Sequence, residues 1–364
     1  MARFIAFYLP QYHPVPENDK WWGPGFTEWI NVVRARPLFP GHEQPHLPAD
    51  LGFYDLRLPE TREAQADLAR KAGIEGFCYY HYWFGGGKEL LERPFNEVVA
   101  SGKPNFPFCL CWANHSWRKK TWDPKAPESG EVLIRQNYPG RDDHIAHFRR
   151  LAPAFRDSRY MRVDGKLLFF VFKPLDVPDA ADFIRLWRDL AAQEGLNGFY
   201  FVAKDYDSRS RPQLLSMGFD AIYNSDTLNI HHHLPLWRKA WLYFGRTCLR
   251  HPTVFRYSDA IRYMVTEDCR EENVIPTISP NWDHTPRSRN RGMVLSRPEP
   301  ELFQKVAEDA LDVVAHKPPE KQLIMIKAWN EWGEGNYMEP DLKRGHGYLD
   351  ALKRAIANKG GKAG

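Results

Sequence analysis

No run in this sequence approaches 18 consecutive apolar residues, so no membrane-spanning helix is announced. Met1 to Pro10 carry neither the apolar h-region nor the cleavage signature of an export signal. Cysteine is scarce: Cys78, Cys109, Cys111, Cys248 and Cys269 form an odd set without a C-x-x-C pair or zinc-type spacing, which argues against a disulfide framework. These absences predict a reducing, cytoplasmic setting. A surplus of one charge sign is also missing. Fifty Lys+Arg stand against 46 Asp+Glu over 364 residues, a net charge of +4 that is too small to track the phosphates of a nucleic acid. No fixed-period repeat and no low-complexity linker divides the chain.

Aromatic residues are what the sequence has in excess, with 13 Trp, 16 Tyr and 22 Phe. Such rings suit either a core built of large residues or partly wet surfaces that stack on sugars or bases, and composition leaves both open. Short apolar runs predict eight strands: Arg3–Leu9, Gly76–Trp83, Phe106–Ala113, Lys166–Phe172, Gly198–Ala203, Asp220–Asn224, Val274–Ser279 and Gln322–Ala328. Helical spacing alternates with them at Pro59–Ala72, Lys88–Ser101, Asp142–Phe155, Pro178–Glu194, Arg209–Met217, Ser258–Glu271, Pro298–His316 and Gly347–Ala357. Eight β/α units predict an α/β fold, a single (β/α)₈ TIM barrel over residues 1–358 with a disordered tail at 359–364. An open doubly wound sheet is the competing fold, but no G-x-G-x-x-G follows the first strand. The extra length, Gln11–Leu58, Asn114–Asp142 and Ser225–Tyr257, falls after strands one, three and six, on the face where barrel enzymes build their sites.

The end of strand eight reads Ala328-Trp329-Asn330-Glu331-Trp332-Gly333-Glu334-Gly335-Asn336. Carboxylates three apart point to opposite faces of an extended strand, yet Gly333 and Gly335 permit a turn that brings both to one cavity. Such a pair suits glycoside cleavage; the bland alternative is two solvated loop glutamates. Strand two ends in Tyr79-Tyr80-His81-Tyr82-Trp83, where alternation aims Tyr80 and Tyr82 one way and His81 and Trp83 the other. Strand three ends in Trp112-Ala113-Asn114-His115, an amide and an indole suited to hydroxyls and sugar rings; Trp112 alternatively faces the helix layer. Glu28 beside Trp29 follows strand one, and Asn281-Trp282-Asp283-His284 follows strand seven.

Two metal patterns dissolve on inspection. His42-Glu43-Gln44-Pro45-His46 fits H-E-x-x-H, but Pro40, Gly41, Pro45 and Pro48 forbid the helix that pattern needs. The run His231-His232-His233 lacks a nearby acidic or Cys partner. Asp205-Tyr206-Asp207 supplies an Asp-x-Asp of the sort that holds a divalent ion in glycosyltransferases, though helix capping explains it more simply. The expectation is therefore no metal and no cofactor. Within His231–Tyr257 there are five basic residues beyond the histidines and no Asp or Glu, with Trp237 and Trp241 four apart. This reads either as a helical flap packed on the barrel rim or as a surface for an anionic glycan, a lipid-linked precursor or the inner membrane.

With these residues in hand, the chain resembles WbsX-type proteins of the glycoside hydrolase family 99-like group. The likeness rests on Tyr8-Leu9-Pro10-Gln11-Tyr12-His13-Pro14, on Glu17–Gly23 and Gly25–Trp29, on Leu47–Asp55, on Gly76–Trp83 and on Trp329–Glu334, and covers nearly the whole chain. It implies a (β/α)₈ barrel, bacterial surface polysaccharide or its precursor as substrate, and either retaining hydrolase chemistry or the transferase activity with which the family is often labelled. A carbohydrate-binding barrel without catalysis is a third reading. By this likeness Glu331 would activate the sugar's own 2-hydroxyl and Glu334 would be the acid/base. Relatives usually carry Glu after the Asn of Trp112-Ala113-Asn114, where this chain has His115, a departure that bears on the substrate or on the activity itself. Substrate contacts are expected from Tyr8, Gln11, Glu28, Trp29, Tyr80, His81, Tyr82, Trp83, Trp112, Asn114, His115, Trp282, Trp329 and Asn330.

Overall fold

The computed structural model describes residues 2–118, 130–224, 230, 234–248 and 251–360. Eight parallel strands form the centre: β1 (Arg3–Tyr8), β2 (Ile74–Trp83), β3 (Phe108–Trp112), β4 (Lys166–Val171), β5 (Phe199–Asp205), β6 (Ala221–Asn224), β7 (Val274–Ile275 and Thr277–Ile278) and β8 (Leu323–Ile326). Each pairs in parallel with its neighbour in order, and β8 returns to β1 through Arg3↔Leu323 and Ala6↔Ile326. The ring closes across β7. Pro276 has no N–H to give, so the strand is interrupted there. Its first piece pairs with β6 and its second with β8. Asn224 Oδ1 bridges the interruption by accepting the Thr277 N–H at 2.8 Å, and the Pro276 carbonyl accepts from Met325 at 2.9 Å. The result is a TIM barrel, as expected.

Alternation along the strands sorts the aromatic surplus. Inside the barrel Phe7 stacks on Tyr80 at 5.4 Å and meets Phe170 and Tyr223. Outside, Trp187 from the helix Ala180–Gln193 packs against Phe169 at 4.9 Å, Phe199 at 5.3 Å and Phe155, the last residue of the helix Arg141–Phe155. Many of the rings are therefore core between barrel and helices, where such pairs add to simple burial.

The helices Pro59–Lys71, Pro300–Val314 and Gly347–Gly360 lie close to the expected spans. The first two begin with proline, which fits the first turn because its missing N–H has no partner there. Three expectations change. The helix expected from Lys88 begins at Arg93, because Glu89–Leu90 pairs antiparallel with Tyr82–Trp83 and Leu91 takes a left-handed φ of 59°. Arg209–Met217 is a short turn, Ser208–Ser210, followed by the helix Arg211–Ser216. Ser258–Glu271 breaks into the turns Tyr257–Ala260, Ile261–Tyr263 and Glu267–Arg270; Thr266 is extended and its hydroxyl bonds Asp268, a local bond that competes with the helix ladder. The terminal helix reaches Gly360, and the rest of the expected tail, 361–364, lies outside the described residues, as do 231–233 and 119–129.

Candidate active site

At the C-terminal mouth of the barrel lies a cleft of about 390 Å³, lined among others by Gln11, Glu28, Tyr80, Tyr82, His115, Trp117, Phe172, Arg287, Lys327, Glu331 and Glu334. The loop after β1 supplies its wall through the helices Pro16–Trp22 and Trp29–Arg34.

The two glutamates converge because the chain after β8 folds back on itself. Asn330–Glu331 pairs antiparallel with Asn336–Tyr337, with the turn Trp332–Glu334 between them. The glycines make that turn possible. A Cβ on Gly333 would stand 2.3 Å from Glu28 Oε1, and Gly335 has φ +52° with Asp283 atoms at 2.7–2.8 Å from its would-be Cβ. The hairpin is also bolted to β1. Asn330 Oδ1 accepts the Leu9 N–H at 2.7 Å, while the Tyr12 hydroxyl donates to the Asn330 carbonyl at 2.5 Å and accepts the Trp332 N–H at 3.0 Å. Beneath the turn, Glu339 accepts from Gln65, Tyr54 and the Trp332 indole at 2.6, 2.9 and 2.6 Å. Burial pushes the Glu339 carboxyl up to about 7 despite these donors.

The site holds three carboxyls and two cations. Arg287 donates through Nε and Nη2 to Glu28 at 3.0 and 2.7 Å and through Nη1 to Glu334. Lys327 Nζ lies 3.5 Å from Glu331 and 3.8 Å from Glu334, and His284 Nε2 is 3.7 Å from Glu334. Burial pushes Glu331 up to about 7, opposed by Lys327 and Arg287 and aided by the charge of the neighbouring Glu334. Burial acts on Glu334 as well, yet Arg287, Lys327 and His284 hold it well below the usual carboxylate range. Burial acts against Glu28 too, and Arg287 more than offsets it. Glu331 is therefore the member of the pair that takes up a proton more readily, and with it protonated the carboxylates of Glu28 and Glu334 balance the charges of Arg287 and Lys327. This is opposite to the order in which the resemblance assigns base and acid. Burial raises Tyr80 and Tyr82, so both stay neutral hydroxyl donors.

Of the residues expected here, Gln11, Glu28, Tyr80, Tyr82, His115, Glu331 and Glu334 line the cleft. The others are placed elsewhere, mostly by strand alternation. Tyr8 points to the helix layer and donates to Gln65 at 2.6 Å. His81 meets His147 ring to ring, Nε2 to Nε2 at 2.8 Å, and Trp83 stacks on His147 while donating to Asp143. Trp112 also faces outward, its indole donating to the Trp83 carbonyl. Trp29 donates to the Tyr54 carbonyl and Trp329 packs on Phe77, both buried. Asn114 braces the loop by accepting from Lys173 and donating to Tyr138 and the Lys173 carbonyl. Asn330 is the bolt to β1. Trp282 lies beside the cleft with Lys327 Nζ 5.2 Å over its ring.

Sequence reasoning missed Arg287, Lys327 and Lys204. Lys327 carried a signal, a lysine ending an apolar strand four residues before Glu331. Arg287 sits in the single-turn helix Thr285–Ser288, among other arginines in the sequence, and carried none. Lys204 lies buried at the end of β5, its Nζ 4.0 Å over Phe172 and 4.4 Å over Tyr206, and burial with the nearby Lys327 pushes it down to about 7.

The metal-like patterns are occupied by protein groups. His42 and Gln44 both bond Asp283, at 2.7 and 2.6 Å, within an irregular segment. Asp207 accepts the Arg209 N–H at the start of its turn, and Asp205 pairs with Arg211 at 2.5 Å. Among the described residues no group of three His, Cys, Asp or Glu is arranged to hold a metal ion.

Comparison with known proteins follows the same lines. The family model described as glycosyltransferase WbsX matches residues 4–352. The protein named WxcX, called uncharacterized, is 37% and 36% identical over 360 residues in two strains of Xanthomonas campestris pv. campestris, covering 98% of this chain and 50% of the relative. The chain thus spans about half the length of these curated relatives. The structure of a GH99 endo-alpha-mannosidase from Bacteroides thetaiotaomicron superposes with a TM-score of 0.61 at 14% identity, covering 100% of this chain and 99% of that one. A glycoside hydrolase-like protein gives 0.61 at 16% identity over 97% and 93%. Those two likenesses are of fold. The match to the family model spans nearly the whole chain, and by it the chain belongs to the glycosyltransferase WbsX family.

Proposed function

We propose that this chain is a carbohydrate-active enzyme that acts on glycosidic bonds of a bacterial surface polysaccharide or its precursor, with Glu331 and Glu334 as the acid–base pair. The observation that supports this most is that two carboxyls gathered around one lysine, Lys327 Nζ lying 3.5 Å from Glu331 and 3.8 Å from Glu334, stand at the barrel mouth beside the tyrosines Tyr80 and Tyr82, with burial raising Glu331 and the nearby cations lowering Glu334. Cleavage of a glycosidic bond needs one group to protonate the departing oxygen and one carboxylate to support the anomeric centre, directly or by taking the proton of the sugar's 2-hydroxyl. A pair that carries one proton supplies both forms at once. A shift of the proton from Glu331 to Glu334 when a sugar enters brings this charge order into line with the roles that the resemblance implies. Arg287 and Lys327 keep the pair from taking a second proton, and Gln11, His115 and Trp117 offer polar and aromatic contacts for a sugar.

A transferase reading is favoured by the family's description. It uses the same centre with a sugar in place of water as acceptor. Incubation with sugar nucleotides and, separately, with purified oligosaccharides, each with and without EDTA, separates the two. Cleavage of oligosaccharide that EDTA leaves unchanged is expected, because Asp205 and Asp207 are engaged by arginines. Transfer from a sugar nucleotide, lost with EDTA and restored by Mn²⁺, would move the assignment to the transferase. Glycan binding without turnover under any condition would mark a lapsed binding barrel.

A further inference from the structure

The loop after β6 carries a twelve-residue helix, Leu236–Thr247, whose amphipathic pattern is turned inside out. At about 100° per residue, Tyr243, Leu236, Ala240, Phe244, Trp237 and Trp241 fall on one arc. That arc faces away from the protein. Leu236, Trp237 and Trp241 are 83%, 72% and 65% exposed, and Tyr243 and Phe244 are exposed as well. The half-buried side is instead Lys239, Leu242 and Gly245. The helix is therefore not a flap that packs its stripe on the rim. It stands over a cavity of about 600 Å³ lined by Lys239, Leu242, Arg246, Arg291 and His284, with Tyr243, at the edge of the outward arc, on its rim; His284 reaches Glu334.

We propose that this helix is a membrane-surface anchor, seating its outward apolar face in the headgroup region of a bilayer that contains anionic lipid. The inference is independent of the glycosidic reading. Two exposed tryptophans, a tyrosine and a phenylalanine on one arc are the side chains that settle at the boundary between headgroups and acyl chains. Arg238 is exposed on the remaining circumference, and Lys239 and Arg246, which line the cavity beneath, add positive charge whose field draws the helix toward an anionic surface. The absence of Asp and Glu from His231 to Tyr257 complements a negative surface. It disfavours a second copy of this chain, since a two-fold interface through this helix would set the same cations against each other. No helix among the described residues is long and apolar enough to cross a bilayer, so the contact lies in the plane of the surface. Because the cavity beneath leads to His284 beside Glu334, docking would hold the cleft next to the membrane.

The test is co-sedimentation of the full chain with vesicles of phosphatidylcholine alone or with about one-third phosphatidylglycerol. The chain is expected to sediment with the anionic vesicles, more weakly as salt rises, and brominated lipid should quench its tryptophan emission. Trp237→Ala with Trp241→Ala should lower partitioning by roughly tenfold or more with an unchanged melting temperature, since both side chains are exposed. Arg238→Gln, Lys239→Gln and Arg246→Gln together should weaken binding and flatten its salt dependence. Equal sedimentation of the parent and the tryptophan variant would overturn the proposal, as would no sedimentation and no quenching of the parent. Light scattering that showed a dimer, dispersed by the tryptophan variant and indifferent to vesicles, would overturn it in favour of self-association.

Discussion

Glu331 and Glu334 are the residues on which the chemistry turns, and their neighbours decide how they titrate. Glu331→Gln and Glu334→Gln each remove a proton-transfer group that typically contributes about 10²–10⁴-fold, and turnover should fall by that order while both variants fold. The variant lacking the acid should regain rate on a glycoside with an activated leaving group, and the variant lacking the base should not, so initial rates on two such substrates assign the roles. The pair loses its one proton as pH rises through about 7. Turnover should therefore fall above that pH in a single ionisation, and hold on the acid side because Arg287 and Lys327 keep Glu334 ionised. Arg287 is the third residue to test. Replacing it by Ala strands Glu28 and Glu334 without their shared cation, and loss of one partner of a buried pair costs about 3–5 kcal/mol. Urea titration should show that loss for Arg287→Ala. Arg287→Lys should recover only part of it, because an ammonium cannot bond Glu28 with the two-pronged geometry of a guanidinium.

At the scale of the element, the hairpin after β8 is where sequence and structure agree for a physical reason. Gly333 between carboxylates three apart and Gly335 just after them are a local signal, and the hairpin they announce is what brings Glu331 and Glu334 together. Gly333→Ala should drive a methyl into the Glu28 carboxylate, shift either Glu28 or the turn, and lower turnover with the barrel intact; activity measured beside far-ultraviolet circular dichroism checks both halves. Around it, half of the aromatic motif on β2 was legible, because alternation is a rule of the strand itself. Tyr80 and Tyr82 face the cleft and His81 and Trp83 the helices. What could not be read was the job of residues such as Asn114, Asn330 and Trp29. An amide or indole that bonds a backbone carbonyl has the same letters as one that bonds a sugar, and only the fold reveals which backbone is in reach.

At the scale of the molecule, the barrel was legible because eight apolar strands alternating with helices leave few ways to bury a parallel sheet. Arg287 was not, since its place depends on the single-turn helix Thr285–Ser288 meeting a residue 259 positions earlier. The barrel's packing also predicts how the whole chain responds to acid. Burial pushes His13 down to about 4 and His81 to about 3, and lowers His46, His144 and His147 as well. As pH falls below the ordinary histidine value of about 6.5, the unfolded chain takes protons that the folded one refuses, so folding stability drops. Glu331 and Glu339 act in the opposite sense, since both carboxyls stay protonated in the folded chain up to about 7. Glu89 and Asp309 are raised in the same sense, but against these four carboxyls stand the five histidines and carboxylates held low, such as Glu28 and Glu334, so stability is expected to fall with acid below pH 6.5. The contact between His81 and His147 carries much of the argument, because two imidazoles with their Nε2 atoms 2.8 Å apart in an aromatic layer can share one proton but cannot both be charged. Melting temperatures should be lower at pH 5 than at pH 7, and His81→Gln should narrow that gap. A parent that melts at the same temperature at both pH values would show that these histidines take up protons without unfolding the layer around them.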